Sequence, residues 1–182
     1  APAPAPALAG ESRASDFAHV AAAGVVQCPL GWRLAARQGE VGLALRALEA
    51  PLRQRARFRL APQRAPGFAR PVYYENAFFA FGDGTADAEL VKCGIKFIRA
   101  TAVIVSGPSR GAPTAERSLQ LDASEPHEVV VEVDLGAGTV TLSAGGETVA
   151  ASLGRPLNAI THVGYCVLNA AADFGPVQIE GE

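Results

Sequence analysis

Charged residues and long apolar runs are scarce in this 182-residue chain, and each scarcity excludes a class of protein. Charged residues make up 19% of the chain and the formal net charge is −2, so no global field attracts nucleic acid or an anionic membrane surface. No uncharged apolar stretch approaches the roughly 18 residues that a membrane-spanning helix needs. The 49% of hydrophobic residues is typical of a globular protein and argues against disorder for most of the chain. We therefore expect neither nucleic-acid binding nor membrane insertion.

Methionine is absent, and lysine occurs 2 times against 14 arginines. The first absence predicts a processed product or a fragment of a longer protein, and the second is typical of a GC-rich bacterial genome. Residues 1–7 alternate Ala and Pro, a composition that forms stiff, extended linkers. We expect residues 1–14 to be a flexible tail or linker, either the remnant of signal cleavage or an inter-domain tether, or simply a disordered terminus. Residues 15–182 are then a single domain, secreted or periplasmic.

The three cysteines are widely spaced and give no metal-binding motif. Cys28, Cys93 and Cys166 form no CxxC pair and no cluster with histidine. Cys93 and Cys166 lie in apolar runs, where a free cysteine acts as a small hydrophobic residue. The odd count leaves at least one thiol unpaired and allows one disulfide, whose partners the spacing does not assign.

The clearest structural signal is a period of two over residues 127–153. Alternating apolar and polar residues run through 127–135, through 139–144 after Gly136-Ala137-Gly138, and through 148–153 after Gly145-Gly146. Such alternation predicts strands with one buried face and one wet face, and the glycines predict a three-residue hairpin loop and a tight turn between them. The segment is therefore a meander of three antiparallel strands.

Short apolar runs bounded by Gly, Pro and Asp predict further strands at 17–26, 40–47, 54–60, 72–81, 89–93, 96–105, 159–168 and 174–180. The segment 41–50 is the one fair helix candidate by propensity, but its context and Pro51 favour a strand or an irregular turn. Many short strands without alternating helices indicate an all-β fold, an antiparallel β-sandwich or jelly roll.

Four stretches in a fixed order resemble the laminin G-like domains of the concanavalin A-like superfamily. They are NAFFAFGDG (76–84), AELVKCGI (88–95), HEVVVEVDLGAGTVTLSAGGETVA (127–150) and ITHVGYCVLNAAADFGPVQIEG (160–181), and Asp173-Phe174 matches the closing strand of the family pattern. The resemblance implies a jelly roll of two packed sheets. It also implies a binding or adhesive module, or a non-catalytic appendage of a secreted hydrolase, but no activity by itself.

Retaining glucanases of this superfamily carry two glutamates on one face of a strand of the form E-x-D-x-E. Here Glu132 and Asp134 occupy the first two positions, and Gly136 stands where the third carboxylate would be. We interpret these two residues as the solvated face of a strand and assign no catalytic residue. A motif of the HExxH type is also absent from the sequence.

Three aspartates in glycine-rich contexts, Asp83, Asp87 and Asp173, are the candidates for a calcium site. The resemblance supports this hypothesis, because laminin G-like domains often bind calcium in such loops, and carboxylate oxygens suit Ca²⁺. Asp-Gly is also ordinary turn chemistry, so calcium is an optional ligand and no other cofactor is expected.

Aromatic side chains supply the candidate platform for a sugar. Trp32, Tyr73 and Tyr74 combine an apolar ring with a polar group, which suits stacking against a sugar face. Adjacent Tyr73 and Tyr74 would point to opposite sides of a strand, so one is expected in the core and one on the surface. Packing in the core is the competing interpretation for all three rings.

An arginine ladder, defined as Arg53, Arg55, Arg57 and Arg59, alternates with core residues over 53–60. On a strand the four guanidinium groups would share one face, where like charges repel. Two explanations stay open: Glu128, Glu132 and Asp134 of a neighbouring strand neutralise them, or Arg55, Arg57 and Arg59 bind a uronic or sulfated glycan. The matching size of the acidic face favours the first.

These observations predict a non-catalytic module that binds a glycan or polysaccharide, or mediates adhesion, attached to or partnering a secreted protein. Two alternatives remain: a small glycoside hydrolase or polysaccharide lyase of the same fold, and a structural or assembly subunit with a protein partner. The sequence names neither the ligand nor the oligomeric state.

Overall fold

The computed structural model of the chain describes residues 14–37, 39–66, 76–169 and 171–181. Within these ranges the fold consists of strands and two single-turn 3-10 helices, Ala14–Asp16 and Asp87–Glu89. Neither helix is long or apolar enough to cross a membrane. The strands are β1 (His19–Ala21), β2 (Ala23–Cys28), β3 (Gly31–Ala36), β4 (Val41–Leu52), β5 (Arg55–Leu60), β6 (Pro62–Arg64), β7 (Asn76–Gly82), β8 (Leu90–Lys96), β9 (Thr101–Ser106), β10 (Ala115–Ser118), β11 (Val129–Asp134), β12 (Thr139–Ala144), β13 (Glu147–Ser152), β14 (Ile160–Leu168), β15 (Ala171–Phe174) and β16 (Gln178–Gly181).

Every strand pairing in the described ranges is antiparallel, which confirms the predicted β-sandwich class. A seven-stranded sheet has the order β1-β4-β14-β7-β8-β9-β10, and a five-stranded sheet has the order β13-β12-β11-β5-β16. A four-stranded sheet, β2-β3-β15-β6, adds a smaller third element. Sequence neighbours such as β7, β8 and β9 pair directly, whereas β14 crosses over to lie between β4 and β7.

The main core lies between the seven- and five-stranded sheets and is built by the alternation seen in the sequence. Phe58 of β5 meets Phe79 of β7 with ring centroids 4.6 Å apart, and Tyr165 of β14 stacks on Phe174 of β15 at 4.4 Å. All four rings are buried. Removing one such ring would cost about 3–5 kcal/mol, because the void it leaves cannot close fully. The sandwich therefore depends on this aromatic centre.

The meander of residues 129–152 follows the predicted pattern, with Val131, Val133 and Leu142 buried and Glu132 exposed. Its first hairpin loop has four residues, 135–138, instead of the predicted three, because Asp134 pairs directly with Thr139.

The structure also differs from the predicted strands at other places. The predicted strand 96–105 is interrupted by a turn at 97–100, which separates β8 from β9. Gly175-Pro176-Val177 divides the predicted strand 174–180 into β15 and β16. β3, at Gly31–Ala36, was not predicted. The helix candidate 41–50 lies in strand β4, as the context favoured.

The outer face of the seven-stranded sheet carries a second, smaller core. It contains Leu43, Leu45, Phe78, Ala80, Leu90, Val103, Val105 and Cys166. Two connections reach this face: the turn before β8 and the loop between β9 and β10. β8 and β14 both end at one end of this face, at Lys96 and Leu168.

Candidate functional site

A cavity of about 550 Å³ opens at that end of the seven-stranded sheet, and we call it the sheet-end cavity. Its volume lies in the range of about 300–1,000 Å³ typical of ligand pockets. Polar and apolar surfaces both contribute to its wall. The lining residues are Lys96, Ser109, Arg110, Gly111, Ala112, Pro113, Glu116, Leu168 and Asn169.

Asn76 places an unpaired hydrogen-bond acceptor beside this cavity. In the register it lies directly opposite both Lys96 and Leu168, so the three side chains project from one face of the sheet. Asn76 is 8% exposed, and its Oδ1 has no hydrogen-bond donor among the described residues. A buried acceptor without a partner costs about 1–3 kcal/mol. Asn76 Oδ1 is inaccessible to solvent and Asn76 is not among the residues that line the cavity, so this acceptor lies behind the cavity wall.

Charged groups of both signs surround the opening. Lys96 ends β8, Arg110 extends from the β9–β10 loop, and Glu116 lies opposite Val103 in the register, which places it on the cavity face. Asn169 follows β14 in a left-handed conformation, φ 52°, which asparagine tolerates better than most residues. Its Oδ1 accepts a hydrogen bond from Gly39 N at 3.2 Å. The lining residues therefore include two cations, one carboxylate and one amide.

A buried polar network, the loop latch, holds the β9–β10 loop on the sheet. It consists of Lys92, Asp87 and Ser109, and the Lys92 side chain is fully buried. Lys92 Nζ donates to Asp87 Oδ1 at 3.0 Å, to Asp87 O at 2.6 Å and to the carbonyl of Gly107. Asp87 also accepts from Ser109 N at 2.8 Å and from Ser109 Oγ at 2.5 Å. Because Ser109 itself lines the sheet-end cavity, the latch positions one wall of the site.

Cys166 lies next to the latch, with its Sγ 3.4 Å from Ser109 Oγ. Burial raises the pKa of the Cys166 thiol to about 12, and burial also raises the pKa of Cys93. Neither thiol forms a thiolate at neutral pH, so neither acts as a nucleophile. All three cysteines are free, and none forms the disulfide that the odd count allowed.

The arginine ladder is partly neutralised by the strand that the sequence suggested. In the register Arg55 faces Asp134 and Arg57 faces Glu132. Arg55 Nε donates to Asp134 Oδ2 at 2.9 Å, and Arg57 Nε lies 3.6 Å from Glu132 Oε1. The internal explanation therefore accounts for these two arginines. It also places Glu132 and Asp134 on an open sheet face.

Arg59 differs from Arg55 and Arg57 because it does not face a carboxylate across the strands. Its cross-strand neighbours are Val130 and Gln178, neither of which is acidic, and its Nε is buried without a hydrogen-bond partner among the described residues. Beside it lies a cleft of about 240 Å³ that Glu128 and Gln178 also line. A ligand-binding role for Arg59 remains a prediction.

Each of the three aspartates proposed for calcium already pairs with a cation of the protein: Asp83 and Asp87 in the connection between β7 and β8, and Asp173 in β15. Asp173 is 2% exposed and forms a two-pronged ion pair with Arg33, at 2.6 and 2.9 Å. Asp83 pairs with Arg155, whose hydrogen bond lowers the pKa of that carboxyl, and Asp87 belongs to the loop latch. In the described ranges no three acidic, histidine or cysteine side chains come together as a metal site. The structure thus does not assemble the proposed calcium ligands.

The aromatic candidates do not form a visible platform in the described part of the chain. Trp32 is 3% exposed and packs edge-on against Phe17, with ring centroids 5.2 Å apart, so its ring face belongs to the core. Tyr73 and Tyr74 lie outside the described residues.

The residues of the sheet-end cavity were not singled out from the sequence. Lys96, Arg110, Glu116 and Asn169 come from separate segments of the chain. One signal was available: Lys96 is one of only two lysines, and it ends an apolar strand. Only the strand order β14-β7-β8 brings these residues to one sheet end.

Comparisons by sequence identify no relatives. No family model matches the chain, and no curated protein matches it either.

Comparisons of structure do find neighbours. A carbohydrate-binding module, CBM66 from Bacillus subtilis, has a TM-score of 0.66 at 11% identity, covering 90% of this chain and 94% of that one. Arcelin-5, a lectin-like defence protein from Phaseolus vulgaris, has a TM-score of 0.59 at 10% identity over 88% of this chain and 90% of that one. The alginate lyase A1-II′ has a TM-score of 0.60 at 11% identity over 87% and 83%. This likeness shows a shared sandwich fold.

Proposed function

We propose that this chain is a non-catalytic, laminin G-like module that binds carbohydrate in the sheet-end cavity. The observation that carries the proposal is the cavity itself, whose wall combines an amide, a carboxylate and cationic groups. Sugar hydroxyls both donate and accept hydrogen bonds, and such mixed side chains can satisfy both functions at once. Fold neighbours that bind or process carbohydrate support this class of ligand.

The distribution of carboxylates favours binding over catalysis. Glycoside hydrolysis commonly uses a pair of carboxylates that flank the scissile bond. Among the cavity-lining residues Glu116 is the one carboxylate, while Glu132 and Asp134 lie opposite arginines on the five-stranded sheet. A hydrolase or lyase of the same fold remains the alternative, and its activity is directly measurable.

The proposal places the module outside the cytoplasm, secreted or periplasmic, as an attachment to or partner of a larger protein. The Ala/Pro alternation of residues 1–7, a composition suited to a tether, supports this arrangement. A protein partner and a calcium ion stay secondary hypotheses.

Calorimetric titration with a panel of oligosaccharides tests the proposal. The matched variants are Glu116→Ala, which alters the cavity wall, and Glu125→Ala, which removes an equally exposed carboxylate from the loop before β11. We expect at least one glycan to bind, with affinity lowered about tenfold or more by Glu116→Ala, as for the loss of a hydrogen bond to a charged group, and unchanged by Glu125→Ala.

Three results would contradict the proposal. The first is a folded protein that binds no member of the panel. The second is binding that both variants retain in full, which would place the site elsewhere. The third is release of reducing ends or unsaturated products from the panel, which would support the enzymatic alternative.

A further inference from the structure

Strand β2 forms an unprotected edge of the four-stranded sheet. It is the outermost strand in the order β2-β3-β15-β6, and its residues 23–28 include no charged side chain and no proline. Its register with β3 runs without a bulge. An edge of this kind presents a row of backbone donors and acceptors to another strand. We infer that two copies of this chain associate through β2, which pairs antiparallel with its own copy about a two-fold axis at Gly24.

The other sheet edges of the described structure carry features that oppose such pairing. β1 and β6 have three residues each, and β6 begins with Pro62. β10 and β16 carry charged residues, among them Glu116 and Glu180. β13 begins with Glu147, which forms an ion pair with Arg117 of β10. Short length, proline and charge are the features with which natural sheets block edge-to-edge association, and β2 has none of them.

The hydrogen-bond pattern of the β2–β3 hairpin determines which backbone groups of β2 face outward. Arg37 N donates to Ala22 O at 3.1 Å, and these two residues continue the register of the hairpin. Hydrogen-bonded and non-hydrogen-bonded pairs alternate along an antiparallel ladder. Gly24 therefore points its N–H and C=O groups to β3, whereas those of Ala23 and Val25 point away from the sheet. In the described part of the chain no strand pairs with them on that outer side.

These outward groups are complementary to their own copy. When two β2 strands run antiparallel with Gly24 opposite Gly24 of the second copy, Ala23 of each chain lies opposite Val25 of the other. Both are then hydrogen-bonded pairs, and each pair exchanges both of its N–H···O=C bonds. Because an antiparallel pairing of identical strands is two-fold symmetric, it satisfies both free edges at once and leaves none for a third molecule. A second copy of the chain is therefore the partner that fits this edge.

The side chains on this edge favour the same contact. A Cβ on Gly24 would have no heavy atom of another part of the chain within 4 Å, so the two glycines can meet at the close, non-hydrogen-bonded position on the axis. The exposed large hydrophobic residues of the described structure are Val26, at 56%, and Val20 of β1, at 43%. Val26 projects from the same face as Gly24, so in the dimer it lies diagonally across from the glycine of the second copy and loses part of its exposed apolar surface. No charge on β2 opposes a like charge across the axis.

The mass of the protein in solution tests the pairing. Size-exclusion chromatography with light scattering is run over a range of concentrations on the full chain, on Val25→Pro and on the control Ala150→Pro. Proline at position 25 removes an N–H that points away from β3, so it blocks the second copy without breaking a bond of the hairpin. Ala150 is an exposed residue of the edge strand β13 and gives the matched change on another edge.

We expect a reversible dimer, because a contact limited to one strand per copy is smaller than the about 1,200 Å² at which stable interfaces begin. The average mass should rise from that of one chain toward that of two between micromolar and millimolar concentrations. Val25→Pro should keep the mass of one chain throughout, and Ala150→Pro should behave as the unmodified protein.

Disulfide trapping tests the position of the axis. In a Cys28→Ser background, Gly24→Cys places two thiols at the close pair on the axis, whereas Ala150→Cys places a thiol on an edge for which no partner is expected. Cys93 and Cys166 are buried and stay out of the reaction. With oxidised glutathione, most of the Gly24→Cys protein should become a covalent dimer, while Ala150→Cys should stay monomeric.

Any of three results overturns this pairing. A mass equal to that of one chain at every concentration would exclude the dimer. A dimer that Val25→Pro retains would place the interface on another surface. Equal trapping of Gly24→Cys and Ala150→Cys would indicate random collisions and refute the axis at Gly24. None of these results decides the proposed glycan binding, because no residue of β2 lines the sheet-end cavity.

Discussion

The loop latch makes an asymmetric prediction about stability. Asp87→Ala and Lys92→Met each remove one partner of the same ion pair, but they leave different groups behind. The Lys92 side chain is 0% exposed, whereas that of Asp87 is 27% exposed. Asp87→Ala therefore strands a buried ammonium, while Lys92→Met strands a carboxylate that water can reach.

The structure gives the size of each effect. After Asp87→Ala, Lys92 keeps only the carbonyls of residue 87 and Gly107 as acceptors, and leaving such a charge without its partner costs about 3–5 kcal/mol. After Lys92→Met, Asp87 keeps both hydrogen bonds from Ser109, and the loss is about 1–3 kcal/mol, since the cost of burying the ammonium disappears with it. At about 2–4 °C per kcal/mol, Asp87→Ala should lower the Tm by roughly 10 °C.

Urea unfolding of the two single variants and the double variant measures this difference. The double variant should cost clearly less than the sum of the singles, with a coupling of about 0.5–3 kcal/mol. Arg117→Ala provides the control, because its ion pair with Glu147 is exposed and contributes about 0–1 kcal/mol. A Lys92→Met loss equal to or larger than that of Asp87→Ala, or additive singles, would refute the buried-charge argument.

Two further predictions concern titratable groups. A thiol reagent at mildly alkaline pH should modify Cys28 in the native protein but spare Cys93 and Cys166, because these two thiols are buried and their pKa values are raised. All three thiols should react after unfolding. Rapid modification of all three in the native state would contradict the burial. Because the hydrogen bond from Arg155 lowers the pKa of Asp83 below 3.8, the unfolded state takes up its proton first as the pH falls. The contribution of this pair to the free energy of unfolding is therefore complete above about pH 5 and lost as the pH falls through the folded pKa. Arg155→Ala should consequently flatten the acid limb of a curve of stability against pH. An unchanged curve would show that the pair is not formed in solution.

The strands that the sequence predicted well are those whose two faces differ in polarity. Residues 129–152 alternate strictly, and a shift of the register by one residue would expose Val131 and Leu142, so pattern and structure agree. The arginine ladder could be predicted for the same reason. Alternation placed Arg55 and Arg57 on one face, and the acidic strand could be identified as a neighbour of opposite charge.

The turn at 97–100 was missed because its residues carry no turn signal. Arg99 and Ala100 adopt positive φ values of 57° and 32°, a conformation that usually favours glycine or asparagine. Phe97 and Ala100 are buried, so the turn resembles a strand in composition. Core packing outweighs local preference here, and single-sequence patterning cannot represent that competition.

The sheet-end cavity could not be predicted because its parts are joined only by topology. Asn76 meets Leu168 through the pairing of β7 with β14, which are separated along the chain by the six strands β8 to β13, and no local pattern encodes that crossover. Asn76 also looks unremarkable in the sequence, as the polar start of an apolar strand. Only the three-dimensional structure shows that its Oδ1 is buried without a donor among the described residues.

The two polar surfaces of the sandwich differ in what a ligand must displace, and this difference decides between them. On the five-stranded sheet the register already sets Arg55 and Arg57 against carboxylates, so an incoming anion exchanges one partner for another and gains little. At the sheet-end cavity Arg110 forms no ion pair with any described residue. A ligand anion that pairs with Arg110 therefore displaces no carboxylate, and the loop latch has already restrained the loop that carries this side chain. Because pairing at Arg110 adds a contact where pairing at Arg55 or Arg57 only replaces one, an anionic group of a ligand gains more at the sheet-end cavity than at these two arginines.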